Sequence, residues 1–207
     1  MVSRITAAQA IRLLDRPIFT TREVALVRKG SLSGTSQALS RMAQQGLVQR
    51  VVRGLWCDPG DSRFSRFALV QHLAGNHRAY VSILSALSLH GVIDQIPQIV
   101  YAVTTGPTRL VTSSVGNFSF HRIQPSLFDG FDWNNKRKVF LLATPEKALM
   151  DTLYLSSRKG RRFRFLPELD PSADLDPGAI RSWIERIGDP AIQGSVRKRA
   201  AELGLAV

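Results

Sequence analysis

Residues 19–58, FTTREVALVRKGSLSGTSQALSRMAQQGLVQRVVRGLWCD, decide how this chain is read. Thr20 or Thr21 can cap a helix whose Glu23 lies in the first turn, where a carboxylate suits the helix dipole. Val24, Ala25 and Val27 form its buried side, and Lys29-Gly30 ends it. Ser31-Leu32-Ser33-Gly34 reads as a turn, because Ser and Gly favour caps and tight backbone geometry. The spacing then predicts a second helix over 35–45, stopped by Gly46, with Ala38, Leu39 and Met42 toward the core. Two apolar runs, 47–52 and 55–57, flank Arg53-Gly54 as a two-stranded ribbon. Two helices, a turn and a ribbon are the parts of a winged helix-turn-helix, whose second helix can enter a DNA major groove.

The outward face of that second helix carries Thr35, Ser36, Gln37, Ser40, Arg41 and Gln44. These side chains can hydrogen-bond base edges or phosphates, and an arginine can grip guanine with two bonds. Arg50 and Arg53 on the ribbon are placed to meet the sugar-phosphate backbone. Local charge favours this reading: residues 1–60 hold nine Lys or Arg against three Asp or Glu, a net +6, with no acidic residue between Glu23 and Asp58. An electropositive surface draws phosphates and gains from the counterions they release.

The whole chain of 207 residues carries a formal charge of +12, which favours a polyanionic partner. Its 44% hydrophobic content is that of an ordinary globular protein. No apolar run approaches the roughly 20 residues that span a bilayer. Arg12 and Asp15 interrupt the first helix, so it does not read as a signal peptide. The single cysteine, Cys57, excludes an intrachain disulfide framework and reads as a small buried apolar residue, which suits a reducing cytoplasm. The expected fold class is α+β: a winged helix-turn-helix over 1–60, then a mixed α+β domain over 61–207 with a helical tail at about 176–204.

Within that second region, 63–74 and 82–90 read as helices, the latter capped by Ser82 and stopped by Gly91. Strands are expected at 98–105, 109–113 and 117–124, with Phe118, Phe120 and Ile123 inward and His121 on the wetter face. The apolar run 139–143 reads as a strand buried on both faces. Thr144-Pro145-Glu146 then opens a helix, with Thr as cap and Pro at its first position.

Three segments, YVSILSALSLHG at 80–91, YAVTTGPTR at 101–109 and TPEKALMDTLY at 144–154, follow the ribbon's RGLW in a fixed order. Together they resemble the landmarks of the AbiEi-type antitoxins, over roughly residues 15–157. The resemblance implies an autorepressor that binds inverted repeats in the double-stranded promoter DNA of its own operon. It also implies that the protein counters a nucleotidyltransferase-like toxin without forming a stable complex with it. On that reading Ser36, Gln37, Ser40, Arg41, Arg50 and Arg53 are the DNA-contacting candidates, and the C-terminal domain carries the antitoxic role.

Nothing in the sequence points to catalysis. His90, at a helix end beside Gly91, reads as a residue that caps carbonyls or bonds within the fold. His72 and His77 have no Cys or second His at metal-ligand spacing, so no zinc site is expected. Glu146 and Asp151 fall on different faces of one helix, and Glu146 and Lys147 point apart. No phosphate-cradling glycine loop is present, so neither enzyme activity nor a cofactor is expected. The basic run Arg158, Lys159, Arg161, Arg162 and Arg164, interleaved with Phe163 and Phe165, reads either as a solvated linker or as an auxiliary nucleic-acid contact. In the tail, Ile180, Trp183, Ile184 and Ile187 form an apolar stripe that is either a packed cap or a surface for self-association. Two other classes stay open: a winged-helix adaptor that binds protein and DNA only nonspecifically, and a nucleic-acid-processing enzyme.

Overall fold

Thr20 closes one element and opens the next, and the N-terminal part of the fold is organised around it. The computed structural model describes residues 5–134, 139–158, 163 and 168–205. A first helix, α1 (Ala7–Leu14), is capped by Thr6 and ended by Asp15 in the left-handed conformation. A short strand, β1 (Ile18–Thr20), runs directly into α2 (Thr21–Arg28). Here Thr20 Oγ1 accepts from the Glu23 amide at 3.2 Å, and Glu23 Oε2 accepts from the Thr20 amide at 2.7 Å. Two of the helix's orphan donors are thereby satisfied reciprocally.

The Glu23 carboxyl titrates below its ordinary value. Burial raises it, but hydrogen bonds from the Thr20 amide and hydroxyl, with the nearby Arg16 guanidinium, outweigh burial. Because the folded value is lowered, the associated stability is present above the unfolded value, about pH 4.3, and is lost as pH falls through the folded value. Denaturation curves taken between about pH 6 and about pH 3 should therefore be less steep in pH for Glu23→Gln than for the parent. Equal slopes would remove Glu23 from the acid response. Thr20→Ala should cost about 1 kcal/mol at neutral pH.

The next helix, α3 (Leu32–Gln44), starts three residues before the predicted position. Ser31, expected inside a turn, is its cap and accepts from the Gly34 amide at 3.1 Å. The turn between α2 and α3 is reduced to Lys29-Gly30, with Lys29 left-handed at φ 52°. Two strands follow, β2 (Gln49–Val52) and β3 (Leu55–Cys57), joined by Arg53-Gly54. Gly54 has φ 83°, which a two-residue hairpin loop requires and a side chain resists. The ribbon was expected to be two-stranded, but β1 pairs with β3, giving a three-stranded antiparallel sheet in the order β1-β3-β2. Phe19, Val24, Leu39, Val48 and Trp56 fill the space between this sheet and the three helices.

Beyond residue 60 the predicted helix over 63–74 is shorter. Ser65 caps a 3₁₀ turn, Arg66–Ala68, which leads into α4 (Leu69–Ala74). The strand β4 (Ala79–Val81) and helix α5 (Ile83–Leu89) come next, then β5 (Ile99–Thr104), β6 (Arg109–Ser113) and β7 (Gly116–Arg122). The chain continues through β8 (Phe131–Trp133), β9 (Leu141–Ala143) and the helices α6 (Pro145–Ser157), α7 (Pro177–Glu185) and α8 (Pro190–Glu202). Six of these strands form one sheet in the order β6-β7-β5-β4-β9-β8. The pairs β5/β7 and β4/β9 are parallel and the others antiparallel. The chain is thus α+β, and none of its described helices is long and apolar enough to cross a membrane.

Other expectations are corrected here. The 139–143 strand is confined to β9, where Leu141 and Leu142 are only half-buried. His121 is not on a wet face: it is 3% exposed, within hydrogen-bond distance (2.8 Å) of Ser119 Oγ, and covered by the Phe163 ring at 5.1 Å. Ser82 stands at the start of α5 but does not cap it; its side chain turns inward and donates to Asp151 Oδ2 at 2.7 Å.

That bond belongs to a polar cluster at the centre of the molecule. α6 is buried from Lys147 to Ser156 on every face. Lys147 and Asp151, one turn apart, form an ion pair with side chains 1% and 0% exposed. Tyr80 Oη donates to Asp151 Oδ2 at 2.9 Å, and Lys147 Nζ also faces the Trp183 ring at 4.8 Å. Trp183 in turn lies under the Arg186 guanidinium at 4.2 Å, so α7 is seated on α6 with Ile180 and Ile184 buried beneath it. The tail stripe is thus a packed cap.

Two contacts tie the small sheet to the large one. Ile18, Val51, Leu55 and Cys57 share a core cluster with Leu69, Val70, Phe118 and Phe120. Cys57 is fully buried there, its thiol pushed up to about 11 by burial and then by Asp58. At the edge, the turn between β6 and β7 grips β2. Ser114 Oγ donates to the Arg50 carbonyl at 2.7 Å, and Gln49 Nε2 donates to the Ser114 carbonyl at 3.1 Å.

Candidate nucleic-acid interface

α3 turns Leu39 into the core and leaves Gln37, Ser40, Arg41 and Gln44 exposed along its outer side, with Ser36 half-buried among them. Thr35 does not belong to that face. It is fully buried, and its Oγ1 accepts from Arg28 Nη1 at 3.2 Å. Thr35 precedes Leu39 by four residues, so both lie on the inward stripe of the helix.

Where the start of α3 meets the start of α2 and the ribbon, the surface dips into a groove of about 430 Å³. Leu32, Ser33 and Ser36 come from α3, Thr20, Thr21 and Arg22 from the start of α2, and Arg50, Arg53, Gly54 and Trp56 from the ribbon. The walls are fixed to each other. Trp56 Nε1 donates to Thr21 Oγ1 at 2.9 Å, and the Thr21 amide donates to the Gly54 carbonyl at 2.9 Å. The Arg50 guanidinium lies 5.9 Å from the centre of the Trp56 ring.

The groove gathers positive charge without a compensating carboxylate. Three arginines elsewhere are paired with carboxylates: Arg16 with Glu23, Arg63 with Asp61 and Asp15, and Arg186 with Asp129. Among the described residues, Arg22, Arg50 and Arg53 have no acidic partner, and Arg41 on the neighbouring helix face has none either. The hydroxyls of Ser33 and Ser36 and the first turn of α3 line the groove and are suited to anionic oxygens. On the α2 side the Thr20 amide and hydroxyl are already taken by the Glu23 carboxylate. A phosphate there would meet donors from three directions.

Ser36, Arg50 and Arg53, expected from sequence, share this groove. Gln37, Ser40, Arg41 and Gln44 extend from it along α3. Arg22, Leu32 and Ser33 escape the sequence reading. Taking 31–34 as a turn hides the last two, and Arg22 becomes a neighbour of the ribbon only because β1 pairs with β3.

Of the basic run, Arg158 is committed within the fold. It donates to the Arg122 carbonyl at 3.3 Å and lies 5.7 Å over the Tyr154 ring. Phe163 packs edge-on against Tyr101 at 5.3 Å. Lys159, Arg161, Arg162 and Arg164 fall outside the described residues. His90 Nε2 lies 2.8 Å from the Ala143 carbonyl, so as the Nε2–H tautomer it bonds within the fold, as its position at a helix end suggested. No group of three or more His, Cys, Asp or Glu placed to hold a metal occurs among the described residues. No protein-family model matches the chain, and no match is found among curated proteins.

Proposed function

We propose that this protein binds double-stranded DNA through a winged helix-turn-helix, with α3 as the recognition helix and the β2–β3 hairpin as the wing. On this reading it represses its own toxin-antitoxin operon as an AbiEi-type antitoxin. The observation that carries the DNA reading is the groove at the start of α3. Three arginines free of acidic partners among the described residues converge there, beside a helix face that presents Gln37, Ser40, Arg41 and Gln44. The order α1-β1-α2-α3-β2-β3 with a three-stranded sheet β1-β3-β2 supports it, since this is how a wing is held beside a recognition helix. The antitoxin role, with a nucleotidyltransferase-like toxin as functional partner, rests on the sequence resemblance at 80–91, 101–109 and 144–154.

Titration against the DNA upstream of the protein's own gene, with scrambled DNA as control and at two salt concentrations, tests the repressor role. Preference for the native sequence that survives added salt is the expected result. Equal, salt-labile affinity for both would leave only nonspecific attraction and end the repressor reading. Arg41→Ala should weaken the native duplex by about 1–3 kcal/mol while leaving scrambled DNA nearly unaffected, as removal of a base-reading side chain requires. Normal binding by that variant would move sequence readout off this face of α3.

A further inference from the structure

Leu32 is the first residue of α3 and is 54% exposed. It precedes Leu39 by seven residues and so lies near the same stripe, but the core ends before reaching it. The side chain overhangs the groove, among Ser33, Ser36, Arg22 and Arg53. A single exposed leucine is ordinary on a protein surface. Its position is what gives this one meaning, because it is an apolar group on the wall of a cationic, hydroxyl-lined cleft.

Resting on the DNA reading above, we propose that Leu32 is a specificity-determining residue that recognises the 5-methyl group of thymine. The charge around it selects a polyanion as occupant. Phosphates take the arginines and hydroxyls, which leaves Leu32 to meet whatever the duplex presents between its backbones. In the major groove the apolar group on a base edge is the thymine methyl, and a side chain at the N-terminal end of a recognition helix is the one that reaches base edges. The ribose and deoxyribose rings are alternative apolar surfaces, but packing against them would carry no base preference. The assignment therefore predicts a discrimination that hydrogen bonds and phosphate contacts in the groove cannot supply: thymine over uracil at a defined position.

The test uses full-length protein and a duplex enriched by it from a random-sequence library. Each thymine of that duplex is replaced in turn by deoxyuridine, which removes only the methyl group. The parent should lose about 4-fold in affinity at one thymine position per bound site, the value of one buried methyl-sized group. Leu32→Ala, whose exposed position leaves folding unchanged and whose helical signature is checked by circular dichroism, should show no loss there. If the parent is indifferent to every replacement, or if Leu32→Ala keeps the same loss, the assignment is overturned. If Leu32→Ala weakens all duplexes alike and the parent ignores deoxyuridine, Leu32 touches sugar and the assignment also fails. Failure to enrich any duplex would instead sink the DNA-reading function itself, and the assignment with it.

Discussion

Asp151→Ala is expected to lower the free energy of unfolding by about 3–5 kcal/mol, a large fraction of what a domain of this size possesses. The substitution removes an acceptor shared by three donors: Lys147 Nζ, Tyr80 Oη and Ser82 Oγ. None of them can turn to water, because Lys147, Tyr80 and Ser82 are at most 1% exposed. Among the described residues, an ammonium left behind in that setting keeps only the faces of Tyr80 and Trp183 as partners. The penalty is thus mainly that of an uncompensated buried charge, and the strength of the original pair matters less. That distinction is measurable. Lys147→Met combined with Asp151→Leu removes both charges and should restore most of the loss, since buried pairs replaced by apolar side chains are often neutral or better. Guanidinium or urea unfolding of the parent, the single variant and the double variant provides the comparison. A single variant costing under about 1 kcal/mol would mean that water or another group reaches Lys147.

The second large effect concerns binding. Replacing Arg22, Arg50 and Arg53 together by alanine should reduce the slope of log affinity against log salt by about 2.7, or about 0.9 for each phosphate no longer neutralised. At physiological salt this amounts to a loss on the order of 10²-fold. The loss should be nearly the same on native and scrambled DNA, because phosphates carry no sequence. On the DNA reading the groove arginines and Arg41 part company: the first would set affinity and its salt dependence, the second preference among sequences. An unchanged salt slope in the triple variant would exclude the groove as a phosphate site. All three side chains lie at the surface of the groove, and none holds an ion pair among the described residues, so folding is expected to survive their removal.

What can be read from sequence is what local chemistry dictates. Thr20 or Thr21 followed by Glu23 announces a helix start at any depth in the fold, although the reciprocal Thr20–Glu23 box is visible only in the structure. Arg53-Gly54 between two apolar runs announces a tight turn. What escapes depends on neighbours distant in sequence. β1 is only Ile18–Thr20, too short to show a period, and it exists because β3 offers it a partner. His121 alternates correctly with Phe118 and Phe120, but alternation assigns a residue to a face without saying whether that face is covered. Phe163 covers it. Thr35 lies four residues before Leu39 and so on the inward stripe by spacing alone; its polar side chain hides this, and burial is possible because Arg28 donates to its hydroxyl. Lys147 and Asp151 have the spacing of a solvent-facing pair on a helix, and only the burial of α6 on all sides makes them the centre of the molecule. Ser82 has the residue type of a cap, yet it serves that centre instead.

Ser114 reaches the wing strand through two hydrogen bonds, and its consequence concerns entropy. A lone two-stranded hairpin in water is marginal and samples many conformations. A wing of that kind would have to be ordered by its ligand, with a corresponding loss of affinity. Here the β6–β7 turn holds β2 from the side opposite β3, so the freedom of the hairpin is surrendered once, when the chain folds. On the DNA reading proposed above, Arg50 and Arg53 would meet a duplex from a stationary platform, and the large sheet would contribute to affinity without touching the DNA.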